Sequence, residues 1–156
     1  MRRADREIRD PEKIRKIILH CTCCRLGFCD GGEVYIVPLS FGYTETEGVR
    51  RFYFHSAGEG RKLTLIEQTH RAGFELDCGY ALHENAVACE NSAAFQSVIG
   101  TGSVMIVQDA QEKREALLAI LRHTTGKTEW TLPEGAEQSV CVFRLDVETI
   151  SCKEHG

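Results

Sequence analysis

Apolar residues recur along the chain with two different periods, and their alternation predicts a mainly β protein carrying three helices. Asp10-Pro11 supplies a capping carboxylate followed by proline at a first helical position. Ile14, Ile17 and Ile18 then repeat at helical spacing, which predicts a helix to about Cys21. Arg25 to Asp30 reads as a strand, and Asp30-Gly31-Gly32 signals a hairpin into a second one, Glu33 to Tyr43. Pro38 inside that second strand predicts an edge position or a bulge, where a missing N–H is tolerated. Arg50 to Ser56 follows as a strand, and Gly58-Glu59-Gly60 opens a helix bearing Lys62, Leu63, Leu65 and Ile66. Ala72 to Asp77 is a further strand, whereas residues 79–93 show no period and are expected to be mostly loop. Phe95 to Gln108 reads as a long strand in which Gly100 and Gly102 predict a bulge or a close backbone approach. Asp109 caps a helix with Leu117, Leu118, Ile120 and Leu121 on one side, and Val140 to Val147 alternates as the last strand.

Six strands joined largely by hairpins argue for an antiparallel sheet or barrel with peripheral helices, not a doubly wound parallel sheet. The 156 residues are expected to form one domain. Its parts are an arm and helix (1–22), barrel strands with a helix at 58–70 (23–108), a helix (109–125) and a final loop and strand (126–156). With 42% hydrophobic residues and a net charge of −4, the composition excludes a disordered chain and gives no basic footprint for nucleic acid. The charged N-terminus has no apolar signal core, and no apolar run approaches the ~20 residues of a membrane span. A cytoplasmic protein without a membrane partner is expected. Arg2, Arg3, Arg6, Arg9, Lys13, Arg15 and Lys16 alternate with Asp5, Glu7, Asp10 and Glu12, which reads as a solvated helix face rather than a basic arm.

The 8 cysteines invite a metal or redox reading that their spacing does not support. Cys21-x-x-Cys24 has no second pair at similar spacing, since Cys78 and Cys89 are far apart, so no zinc knuckle is expected. Cys21 falls at a helix C-terminus, where the dipole disfavours the thiolate that redox catalysis needs. Gly126-Lys127-Thr128 resembles the end of a phosphate loop, but it lacks the upstream glycine and follows a helix. The stronger phosphate candidate is Gly58-Glu59-Gly60-Arg61-Lys62. Two glycines permit a tight turn, and two cations then fall in a helix's first turn, against its dipole. That misfit is relieved by a bound anion. His55, just upstream, admits either a structural or a ligand-facing role.

Taken in order, several segments resemble the pyridoxamine 5′-phosphate oxidase-like flavin proteins, specifically their nitroimidazole-resistance branch. They are Met1 to Ile8, Cys24 to Phe28, Tyr35 to Tyr43, Phe52 to Ala57, Gly60 to Leu63 and Ser97 to Gly102. The resemblance implies a six-stranded antiparallel split β-barrel of the FMN-binding type, usually a homodimer with flavin at the interface. It implies FMN as cofactor, with FAD or haem as alternatives, and a small organic acceptor as substrate. By position it assigns Gly60, Arg61 and Lys62 to the flavin phosphate, and Val37, Pro38, Leu39 and Ser40 to the strand along the ring. Ser97, Val98 and Gly100 match another strand that approaches the flavin, and His55 a histidine near its reactive face. Gln96 and the tail Ile150 to Lys153 depart from the family pattern. The reading is a flavin-dependent oxidoreductase; the alternative is a flavin- or haem-binding module without turnover.

Overall fold

The computed structural model describes residues 3–156; Met1 and Arg2 of the charged opening lie outside the described residues. Ala4–Arg6 forms a single 3-10 turn, and β1 (Glu7–Ile8) pairs with the end of the last strand. The expected solvated helix face holds for Glu12, Lys13, Arg15 and Lys16, exposed on the helix that follows, but residues 3–9 are corrected to a short paired arm whose charges close on their neighbours as Arg3–Asp5 and Arg9–Glu7 ion pairs. The helix itself begins where the Asp10-Pro11 signal sets it: in α1 (Pro11–His20), Asp10 accepts a bond from the Glu12 N–H at 3.0 Å.

The remaining strands are β2 (Cys24–Asp30), β3 (Glu33–Leu39), β4 (Gly42–Thr46), β5 (Val49–Ser56), β6 (Arg71–His83), β7 (Ser92–Ile106) and β8 (Cys141–His155). Helix α2 (Arg61–Thr69) lies between β5 and β6, and α3 (Ala110–Thr125) between β7 and β8. All pairings are antiparallel, in the order β3-β2-β6-β7-β8-β5-β4 with β1 on β8. The ladder does not close by hydrogen bonds. Its two end strands are nevertheless consecutive in the chain, joined only by Ser40 and Phe41. The stretch expected as one strand over 33–43 is thus two, because its first half pairs with β2 and its second with β5, and the sheet curls to let one bent segment do both.

Two further expectations are corrected. Of the expected loop over 79–93, residues 84–91 do lie outside the sheet, but 79–83 and 92–93 are strand: β6 and β7 continue as a hairpin to His83↔Ser92 across an irregularity between Cys78 and Ala81. The bulge breaks the alternation, and the residues beyond it are exposed on β6, so no burial pattern betrays them. The last strand runs to His155 rather than Val147. Its register on β7 shifts between Thr101 and Gly102, where a side chain on Gly100 would lie 2.1 Å from the Thr149 carbonyl and 2.5 Å from the Phe74 ring. That is the close approach the two glycines signalled.

The main core fills the inside of the curl with Leu26, Phe28, Phe52, Phe54, Phe74 and Phe143, capped by Ile17 and Ile18 of α1 and by Leu65 and Ile66 of α2. A second cluster lies on the other side of β5, where Tyr53 and Val142 meet Ala116 and Ile120 of α3. The face of α3 buried deepest is centred on Ala116 and Ile120 rather than on the leucines, because the helix backbone packs directly on Gly42, where a Cβ would lie 2.7 Å from the Ile120 nitrogen. No helix among the described residues is long and apolar enough to cross a membrane.

Candidate functional site

Strand β5 carries aromatic residues on both faces. Phe52 and Phe54 enter the main core and Tyr53 the cluster under α3, while His55, on Tyr53's side, has passed beyond the helix and is exposed. The β4–β5 ladder ends at Gly42↔Tyr53, so Ser40 and His55 each stand two residues beyond the same pair. At the bend the two part: Ser40 leads back into β3 on β2, while His55 continues along β5 opposite Val142 of β8. Upstream of the bend, Val37 and Leu39 turn inward against the core, and Pro38 and Ser40 are exposed. As an end strand, β3 pairs only with β2, which leaves its other edge of backbone N–H and C=O groups open, and Pro38 occupies such an edge at little cost.

Beyond His55 the chain turns into α2. Gly60, with φ 134°, adopts a backbone that a side chain rarely tolerates, and it gives the helix no side-chain cap. The Leu63 and Thr64 N–H groups donate to the Gly60 carbonyl, at 2.9 and 3.3 Å. The N–H groups of Arg61 and Lys62 have no partner among the described residues, and the first turn contains no acid. Lys62 forms no ion pair among the described residues. It lies near Cys141, whose thiol burial pushes up while Lys113 and Lys62 pull it down. Arg61 is different: its Nε donates to Asp30 Oδ2 at 2.8 Å, its Nη2 pairs with the same oxygen, and its guanidinium lies over the Tyr35 ring at 4.7 Å. Asp30 and Tyr35 carried no sequence signal for this role. Asp30 is 31 residues from Arg61, and the packing of α2 against β2 brings them together.

The β7 residues lie apart from this group. Strands β2 and β6 separate β7 from β3, about 14 Å along the sheet at the usual strand spacing. Val98 is fully buried in the core and Gly100 packs on β8 and Phe74, so neither offers a side chain to a ligand. Ser97 pairs with Asp77 on the outer face. There, Arg25 bridges Glu75 and Asp77 at 2.8 and 2.6 Å beside exposed Val34, Ile36 and Ile99. A hollow of about 350 Å³ on that face is lined by Gly27, Gly73, Val34 and Ile36.

The other sequence candidates resolve into packing. Gly126 is the left-handed C-cap of α3, with its N–H on the Arg122 carbonyl, which accounts for the apparent phosphate-loop ending. Burial, ahead of neighbouring Cys78, pushes the Cys21 thiol up; burial rather than the helix dipole is the main cause. Burial also raises Cys24 and takes Cys152 up to about 11.

A model of the family described as pyridoxamine 5′-phosphate oxidase matches residues 10–154. The chain belongs to that family. Among solved structures, it is similar to a candidate 5-nitroimidazole antibiotic resistance protein from Bacteroides thetaiotaomicron, at 30% identity and TM-score 0.80, over 95% of this chain and 86% of that one. Similar folds occur in the flavocytochrome Anf3 of Azotobacter vinelandii (19% identity, TM-score 0.79, 100% and 72% covered). The FAD and heme binding protein of Mycobacterium smegmatis shares the fold as well (13% identity, TM-score 0.81, 97% and 74% covered). No curated protein matches the chain.

Proposed function

We propose that this family member binds FMN and acts as an oxidoreductase on a small organic acceptor. The observation that carries the reading is the start of α2, where two unpartnered backbone N–H groups, a positive dipole end and two cations converge without an acid in the first turn. A phosphate there would accept from the Arg61 and Lys62 N–H groups and from both side chains. The same arrangement accepts one phosphate of a diphosphate, so FAD is the alternative cofactor.

The bound flavin would supply electron transfer; the chain supplies binding, orientation and electrostatics. The open edge of β3 over Val37 to Ser40 can offer backbone donors and acceptors along a flat ring, with Pro38 contributing only its carbonyl. His55, exposed near the end of β5 just before the α2 turn, is the group available to orient an acceptor or to hand it a proton from a ring nitrogen. Val98 and Gly100 could contribute only backbone, and Ser97 a hydroxyl. Because two strands stand between β7 and β3, a homodimer that sets the β7 face of one copy against the β3 edge of the other would unite them. The apolar outer face, with Val34 at 75% and Ile36 at 62% exposure, suits such a partner.

The test is spectroscopic. Purified protein given FMN is expected to take on a protein-perturbed flavin spectrum, to bleach with NADH or NADPH, and to recover on adding a nitroaromatic acceptor. His55→Ala is expected to keep the spectrum and slow the recovery by about 100-fold, the usual scale of one acid–base group. Flavin binding without bleaching by any donor would reduce the reading to a binding module, and unaltered recovery in the variant would remove His55 from the reaction.

A further inference from the structure

Arg61 is the one cation of the α2 start that is already engaged, and the way it is engaged has a consequence. Both of its contacts with Asp30 use one side of the guanidinium, Nε at 2.8 Å and Nη2, and both end on the single oxygen Oδ2. Its face rests on Tyr35 at 4.7 Å from the ring centroid. Tyr35 in turn stacks on Phe28, with centroids 6.4 Å apart and planes at 30°, and Phe28 is a fully buried core residue paired with it across the hairpin. The arginine is thus fixed along one edge and on one face. Its Nη1 group, with two N–H donors, takes part in no bond to Asp30.

An exposed ion pair of this kind contributes little to stability, and both side chains here keep substantial exposure, 54% for Arg61 and 33% for Asp30. Its effect is on freedom. An arginine has many rotamers to lose when it binds an anion, and a guanidinium already held has lost them on folding. Against this stands the carboxylate's own repulsion of an incoming anion. Asp30 therefore has two opposite influences on a phosphate at the α2 start, and only one of them acts through Arg61.

We propose that Asp30 is a positioning residue that holds Arg61 on the Tyr35 ring with its Nη1 donors presented to the flavin phosphate. This rests on the FMN-binding reading above and adds to it a dependence confined to the phosphate. Asp30 acts through its contacts with the arginine.

The two influences separate in a four-variant titration with FMN and with riboflavin, which lacks the phosphate. Asp30→Ala is expected to weaken FMN by about three- to tenfold, the equivalent of one mobile side chain to be ordered, and to leave riboflavin unchanged. In an Arg61→Ala background the sign is expected to reverse or vanish, since only the carboxylate's repulsion remains: Arg61→Ala/Asp30→Ala binds FMN as well as or better than Arg61→Ala. Asp30→Asn, which suits the same glycine turn, is the companion variant, and it is expected to fall between wild type and Asp30→Ala. Equal weakening in both backgrounds, tighter FMN binding in Asp30→Ala, or a parallel loss of riboflavin would overturn the proposal. Wild-type protein that binds neither compound would instead overturn the FMN reading on which it rests.

Discussion

The molecule starts its helices in two ways. At α1 and α3 an aspartate closes the helix end, Asp10 on the Glu12 N–H and Asp109 on the Glu112 N–H at 2.8 Å, and a glutamate follows in the first turn. At α2 a glycine stands in the capping position, no side chain accepts from the first turn, and the next two residues are cations. The first pattern satisfies the helix from within and contributes stability. The second leaves donors open and places charge of the wrong sign beside them. Two of the three helices are capped by a side chain and the third is not, and it is this third end that we propose for the flavin phosphate.

Substitutions that exchange the two patterns test this contrast. Lys62→Glu gives α2 the acidic first turn of α3, and is expected to raise the stability of the flavin-free protein by about 0.3–1 kcal/mol at low salt. The same change is expected to weaken FMN binding by about 3 kcal/mol, roughly hundredfold, through loss of one charge-assisted bond and its replacement by repulsion. Thermal melts with and without FMN would show the two effects moving in opposite directions. Asp109→Ala does the reverse at α3: it is expected to cost about 1 kcal/mol of stability with no change in FMN affinity, measured by denaturant unfolding beside a flavin titration.

The smallest expected effect concerns the far end of α3. His123 stands in the last turn, where the dipole would favour its charged form, yet it lies on the Phe41 ring at 4.1 Å and its Nε2 meets the Cys21 carbonyl at 2.8 Å. Burial lowers its pKa below the ordinary 6.5, more than the carbonyl contact raises it. The unfolded chain then takes up the proton first as pH falls. Stability is full above pH 6.5 and declines below it, and His123→Gln is expected to flatten that decline between pH 6.5 and about 5, where carboxylates are not yet protonated.

The same helix ends show what the sequence carries and what it does not. Asp10-Pro11 and Asp109 are local signals, read within four residues, and the structure places both caps as expected. Arg61 and Lys62 are equally local, and so was their misfit with the dipole. The Asp30 carboxylate that accompanies Arg61 was not legible, because its approach depends on α2 packing against a strand that ends 31 residues upstream. Strand boundaries failed where burial gave no pattern. Exposed residues 79–83 lie beyond a bulge, and the split at Ser40-Phe41 follows from which neighbour each half pairs with, a property of the whole curl rather than of the segment. Phe41 itself is fully buried, so nothing in its hydrophobicity distinguishes a bend from a strand.

We propose that the open start of α2 holds a phosphate. Calorimetric titration of the flavin-free protein with FMN and with riboflavin, at low and high salt, tests it most directly. FMN is expected to bind about hundredfold or more tighter than riboflavin, with the gap narrowing as salt screens Arg61 and Lys62. Equal affinity for the two compounds, or a gap indifferent to salt, would contradict it.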